Sequence, residues 1–78
     1  MRANIADKII SVSFHDDMIL ISTDKGNYQW KISEISQRLS KATESDRNNF
    51  KISPSGYGIH WPSVDEDLSI GGLISSQR

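Results

Sequence analysis

The chain has 78 residues, no cysteine and a formal net charge of −1. A length like that holds one domain, which buries only roughly 60% of the surface its unfolded form exposes, and the missing thiols exclude disulfides and thiolate metal sites. The near-neutral charge argues against the broad basic field of most nucleic-acid binders. Reinforcement then falls to self-association or docking onto another protein, which favours an interaction module.

The opening, Met1 to Lys8, has no apolar run and carries an early acid, so it does not read as a signal peptide. No stretch approaches the ~20 apolar residues of a membrane span. Asn4, Asn27, Asn48 and Asn49 all lack Ser or Thr two positions on. A cytoplasmic location without membrane contact is the expectation.

Ile10, Val12 and Phe14 alternate with serines and His15, the period of a half-buried strand. His15-Asp16-Asp17 reads as a tight turn, because Asp side chains bond their own downstream backbone. Met18 to Thr23 is apolar and β-branched, which suits a central strand covered on both faces. Asp24-Lys25-Gly26-Asn27 is a hairpin signal with Gly26 supplying positive φ. Tyr28, Trp30 and Ile32 alternate again, completing an antiparallel three-stranded meander over residues 8–32.

The period then changes. Ile32, Ile35, Leu39 and Ala42 fall on one helical stripe, with Glu34 and Arg38 spaced as an i,i+4 pair on the solvent side. Thr43-Glu44-Ser45-Asp46 has the form of a capping box, predicting a short helix from Glu44 to about Asn49. Phe50 and Ile52 flank Lys51 as a brief strand, which Ser53-Pro54-Ser55-Gly56 breaks. Tyr57, Ile59 and Trp61 alternate as a last strand that Pro62 closes. After the acidic triplet Asp65-Glu66-Asp67, a helical turn capped by Ser69 is predicted, with Leu68 stapled on Leu73. Gly71 and Gly72 weaken that turn. The expected architecture is a two-layer α+β domain over 1–78: the meander, short helices, then a C-terminal pair of short strands, with 75–78 a flexible tail.

Arg38-Leu39, Ala42-Thr43, Arg47-x-Asn49, Gly56-Tyr57-Gly58-Ile59-His60-Trp61-Pro62, Asp65-Glu66-Asp67-Leu68 and Gly72-Leu73 follow in one order. This series resembles domain-of-unknown-function family 2442, with its Arg-Leu, Ala-Thr, Arg-x-Asn, Gly-Ile-x-Trp-Pro and Asp-x-Asp motifs. The hairpin with its Gly26 turn fits the same family's first half. One departure stands out: Ile35-Ser36-Gln37 occupies the place where the family carries aromatics and a proline. The resemblance implies a small two-layer α+β domain, sometimes fused to a helix-turn-helix domain. It also implies a protein often encoded beside a second small family in toxin–antitoxin-like pairs.

The chemistry-bearing residues support catalysis weakly. His60 neighbours three acids and has the titration range of an acid–base group. It lies between Ile59 and Trp61, on the opposite strand face, where a half-exposed histidine bonded to backbone or carboxylate is the simpler reading; His15 sits in a turn. An EF-hand loop starting at Asp65 needs Gly at its sixth position and Glu at its twelfth, which are Ile70 and Ser76. Gly56-x-Gly58 lacks the third small residue and the helix of a dinucleotide loop, since Trp61 stands there. No serine sits in a nucleophile elbow. No metal, cofactor or catalytic residue is therefore assigned.

The expected function is a non-catalytic protein-interaction module, antitoxin-like, whose partner is a small toxin-like protein or a second copy. Lys31, Arg38, Arg47, His60, Asp65, Glu66 and Asp67 are the candidate partner-binding residues. Gly26, Trp30, Gly56, Gly58, Trp61 and Pro62 are assigned to the structural motif. A nucleic-acid regulator using the basic stretch 38–51 is the alternative. A small hydrolase or nuclease is the third reading, with Arg38, Lys41, Arg47 or Lys51 beside His60 and Asp65 or Asp67 supplying the acid.

Overall fold

Alternation between Ile9 and Lys31 builds an antiparallel sheet of β1 (Ile9–His15), β2 (Met18–Thr23) and β3 (Gly26–Lys31), in that order. The computed structural model describes residues 7–76. Val12, Ile21 and Tyr28 form one cross-strand row on the inner face, and Phe14, Ile19 and Trp30 the next. A bulge between Ile9 and Ser11 inserts an extra residue in β1. It turns Ile9 inward and leaves Ile10 65% exposed, so the inward series starts one residue earlier than the expected Ile10. β2 is central in the sheet but covered on one face only. Leu20, 36% exposed, stands on the outer face between Ser13 and Gln29.

Asp16 turns the first hairpin with φ 53, a conformation Asp tolerates. At the second hairpin Gly26 is not in the left-handed region; among the described residues Asp16, Asp65 and Gly56 are. The Thr23 hydroxyl shapes that turn instead, accepting from the amides of Lys25 and Gly26 at 3.1 and 3.2 Å. It also donates to the buried Asp7 carboxylate at 2.7 Å, which accepts from the Tyr28 hydroxyl at 2.9 Å as well.

That bond to Asp7, with the carboxylate's charge and partial burial, raises the Tyr28 pKa above its ordinary 10.0. The folded chain therefore holds this proton more tightly than the unfolded chain. Its contribution to stability is complete below pH 10.0 and is lost as pH rises through the raised value. Urea unfolding at rising alkaline pH should show a steeper loss for the wild type than for Tyr28→Phe. Parallel curves would mean the phenol titrates alike in both states. Tyr28 also stacks on Trp30 at 5.7 Å between ring centroids. Among the described residues the Trp30 indole N–H is buried without an acceptor, which costs on the order of 1–3 kcal/mol.

The expected single helical stripe is two helices, α1 (Ile32–Ile35) and α2 (Gln37–Ser40), broken at an extended Ser36. The stripe survives the break, since Ile32 and Leu39 are both buried. Ser36 caps α2 by accepting from the Leu39 amide at 3.1 Å and donates its hydroxyl to Glu66 at 2.5 Å. α3 (Glu44–Asn48) starts where the capping pattern places it, with the Thr43 hydroxyl accepting from the Asp46 amide at 3.1 Å.

The rest of the chain forms a second antiparallel sheet of β4 (Lys51–Ile52), β5 (Gly58–Trp61) and β6 (Glu66–Ser69), followed by α4 (Ile70–Ser76). The expected strand pair is present and β6 extends it, using residues read as a helix approach. α4 is capped as expected, the Ser69 hydroxyl accepting from the Gly72 amide at 3.0 Å. Ser75 and Ser76 belong to α4, where the sequence reading begins a loose tail; residues 77 and 78 lie outside the described residues.

Trp61 joins the halves. It is wholly buried, meets Phe14 edge-on at 6.5 Å and Phe50 at 6.2 Å, and donates its indole N–H to the Arg47 carbonyl at 2.9 Å. A backbone bond from the Ile9 amide to the Gly56 carbonyl at 2.8 Å adds a second tie. Gly56 needs to be glycine there: its φ is 84, and a Cβ would lie 3.4 Å from that of Lys8. No helix among the described residues is long and apolar enough to cross a membrane.

Candidate functional site

Strand alternation sorts the C-terminal motif into two faces. Ile59 and Trp61 point inward and are buried, so Gly58 and His60 point outward. Register places Lys51 and Asp67 on either side of His60, giving the outward row Lys51, His60, Asp67 across three strands. The next outward positions are Gly58 and Ser69. A cavity of about 730 Å³ opens on this face, lined by Lys51, Pro54, Gly58, His60, Asp67, Ser69 and their strand neighbours, with mostly apolar walls. That volume lies within the usual range of roughly 300–1,000 Å³ for ligand pockets.

His60 Nδ1 lies 2.7 Å from Asp67 Oδ1, and 44% of its side chain remains exposed. A carboxylate only accepts, so Nδ1 carries the hydrogen and Nε2 is the nitrogen left for a ligand. The cavity's hydroxyls are committed elsewhere. Ser53 accepts from the Gly58 amide at 3.1 Å, as Ser69 does from Gly72. Among the described residues neither hydroxyl bonds a histidine or a carboxylate. Among the described residues no cluster of histidine and acid side chains could hold a metal ion.

The acidic triplet is divided among three tasks. Asp65 occupies a left-handed turn position with φ 55 and exposes its side chain. Glu66 faces inward, toward Ser36, and Asp67 faces outward, toward His60. Arg38 donates to the Asp65 carbonyl rather than forming the predicted pair with Glu34. Arg47 is spent inside the fold, its guanidinium donating to the carbonyls of Leu39 at 2.9 Å, Ser40 at 3.1 Å and Asp16 at 3.4 Å. Lys31 stands on the first sheet's outer face, across from Met18. Of the proposed rim, the cavity thus brings together His60 and Asp67 and adds Lys51, Pro54 and Ser69. Pro62 is exposed in the turn after β5, and Trp30 is a core residue.

The missed lining follows from the missed strand. Glu66 and Leu68 alternate with Asp67 and Ser69, a period-2 signal that the run of acids obscured.

A family model described as "Protein of unknown function (DUF2442)" matches residues 9–78, which include both sheets and the whole cavity lining. The chain belongs to this family. A DUF2442 assignment gives the chain a lineage and no activity. Among curated proteins none matches the chain. A crystal structure of a protein of unknown function from Rhodospirillum rubrum is similar, with a TM-score of 0.75 and 22% identity over 90% of this chain and 87% of that one. At that identity the likeness concerns the fold alone.

Proposed function

We propose that this DUF2442 chain is a non-catalytic protein-interaction module of the cytoplasm, an antitoxin-like member of a small regulatory pair. The observation that carries the reading is the outward cavity on the C-terminal sheet: apolar walls, Lys51 with no ion pair among the described residues, and lining hydroxyls that bond neither histidine nor carboxylate among them. A segment of the partner seated there is occluded from its own substrate. The toxin–antitoxin-like pairing that the sequence resemblance implies supports the class of partner.

The test is a tagged pull-down from host lysate at two salt concentrations, with wild type and Lys51→Glu. One protein should be retained stoichiometrically at both salts and be lost on charge reversal. Nucleic acid retained at low salt alone would replace this reading with a phosphate-binding one through residues 38–51. An empty capture would sink both.

The 2.7 Å contact between His60 and Asp67 favours a second reading, a small enzyme with His60 as general base. It requires a bell-shaped pH–rate profile that His60→Ala abolishes, on a substrate that brings its own nucleophile or uses water.

A further inference from the structure

Gly58 is a glycine for which the fold gives no reason. Its φ lies outside the left-handed region, and an added Cβ would meet nothing closer than the Leu68 carbonyl at 3.5 Å and the Ser53 hydroxyl at 3.8 Å. Those are ordinary contact distances. Gly58 is the first residue of β5, where a glycine packs nothing against the sheet. What the absent side chain does is leave its part of the cavity lining open, because position 58 points outward on the same face as His60.

The polar groups around this opening are asymmetric. Lys51, His60 and Asp67 follow in order across the sheet. Asp67 engages His60 Nδ1, so its charge is partly answered and Nε2 is the ring nitrogen left for a ligand. Lys51 forms no ion pair among the described residues, where both ion pairs use a histidine. One end of the row therefore offers an unanswered cation and a ring nitrogen, next to an apolar seat.

We propose that the cavity seats a partner segment presenting a carboxylate beside an aromatic or branched apolar side chain. The carboxylate lies on the Lys51 ammonium, and the apolar group rests over Gly58. Glycine is kept at 58 because any side chain would occupy the seat. This deepens the interaction-module reading and rests on it for the identity of the occupant as protein.

The experiment is an amide-resolved NMR titration of the full chain with N-acetyl-phenylalanine and with its uncharged amide. The acid should shift residues 51–60 and 67–69 and bind about tenfold tighter than the amide, the equivalent of one charged contact. Lys51→Glu should erase that preference. Gly58→Val should abolish binding of both probes while melting no lower than wild type, a separation that a purely structural glycine would not show. Gly58→Ala, with its single methyl at ordinary contact distance, keeps the comparison valid if valine unfolds the domain. Equal binding of acid and amide, no shifts on this face, or undiminished binding by a folded Gly58 variant would overturn the proposal. An acid-selective cavity in a chain that captures no protein would overturn the protein occupant and leave a site for a free aromatic acid.

Discussion

Trp61→Ala should leave the domain largely unfolded at room temperature. Removing a buried tryptophan typically costs about 3–5 kcal/mol. Marginal stability of roughly 0.05–0.15 kcal/mol per residue gives a chain of 78 residues about 4–12 kcal/mol, and a domain this small, at the low end of that range, has little more than the loss to give. The indole is wholly buried, touches Phe14 of one sheet and Phe50 before the other, and bonds the Arg47 carbonyl. Among the described residues it combines ring contacts to both halves with a hydrogen bond to the backbone. Trp61→Phe separates the two contributions, keeping much of the packing and losing the indole bond, for about 1–2 kcal/mol. Urea unfolding followed by Trp30 fluorescence measures both. An alanine variant that unfolds with wild-type midpoint and slope would show that the sheets do not depend on each other for stability.

Arg47→Met should destabilise by about 2–3 kcal/mol, the scale of hydrogen bonds made by a charged group. Methionine preserves the apolar stem, so the loss reports the guanidinium. Its three carbonyl acceptors lie at the end of α2 and in the β1–β2 turn. Unless replaced, these bonds leave helix-end carbonyls to find water in a half-buried site. Arg47→Lys should rescue little, because one ammonium does not reproduce a planar fork aimed at three acceptors. A variant within about 0.5 kcal/mol of wild type would instead mark Arg47 as a surface residue, as the sequence reading had it. Three of the five guanidinium N–H donors are engaged within the fold, so Arg47 has two left with which to meet a partner.

What was legible in the sequence was what depends on local period and local bonds. The meander, the Thr43 cap, the Ser69 cap and the burial of Trp61 all follow from neighbours in the chain. What escaped depends on groups far apart. The bulge that swaps Ile10 for Ile9 changes no residue type, only a count between strands. The break at Ser36 interrupts a flawless helical stripe because its hydroxyl is bonded to Glu66, thirty residues on. Gly26 looked like the turn's source of positive φ, whereas the Thr23 hydroxyl organises that turn through backbone amides.

The site divides the same way. A carboxylate partner for His60 was foreseeable, and that it is Asp67 required the register of β6. The cavity itself was not foreseeable, since it takes three strands to make its floor and Gly58 was assigned to the structural motif.

Among the described residues every strand pairs only with its neighbour in sequence, β1 with β2 and β2 with β3, then β4 with β5 and β5 with β6. Each pairing closes a short loop, so the entropy of chain closure is met in small steps rather than one large one. Such wiring gives low contact order and rapid folding for a chain with this much sheet. Each hairpin can form before the halves meet, and the late event is the meeting itself, with the indole of Trp61 passing from solvent into the space between the sheets. Nascent chain emerging from synthesis would hold the first meander complete while the residues that cover its inner face are still being added. Until they arrive, Ile19, Ile21 and Trp30 face whatever else is near.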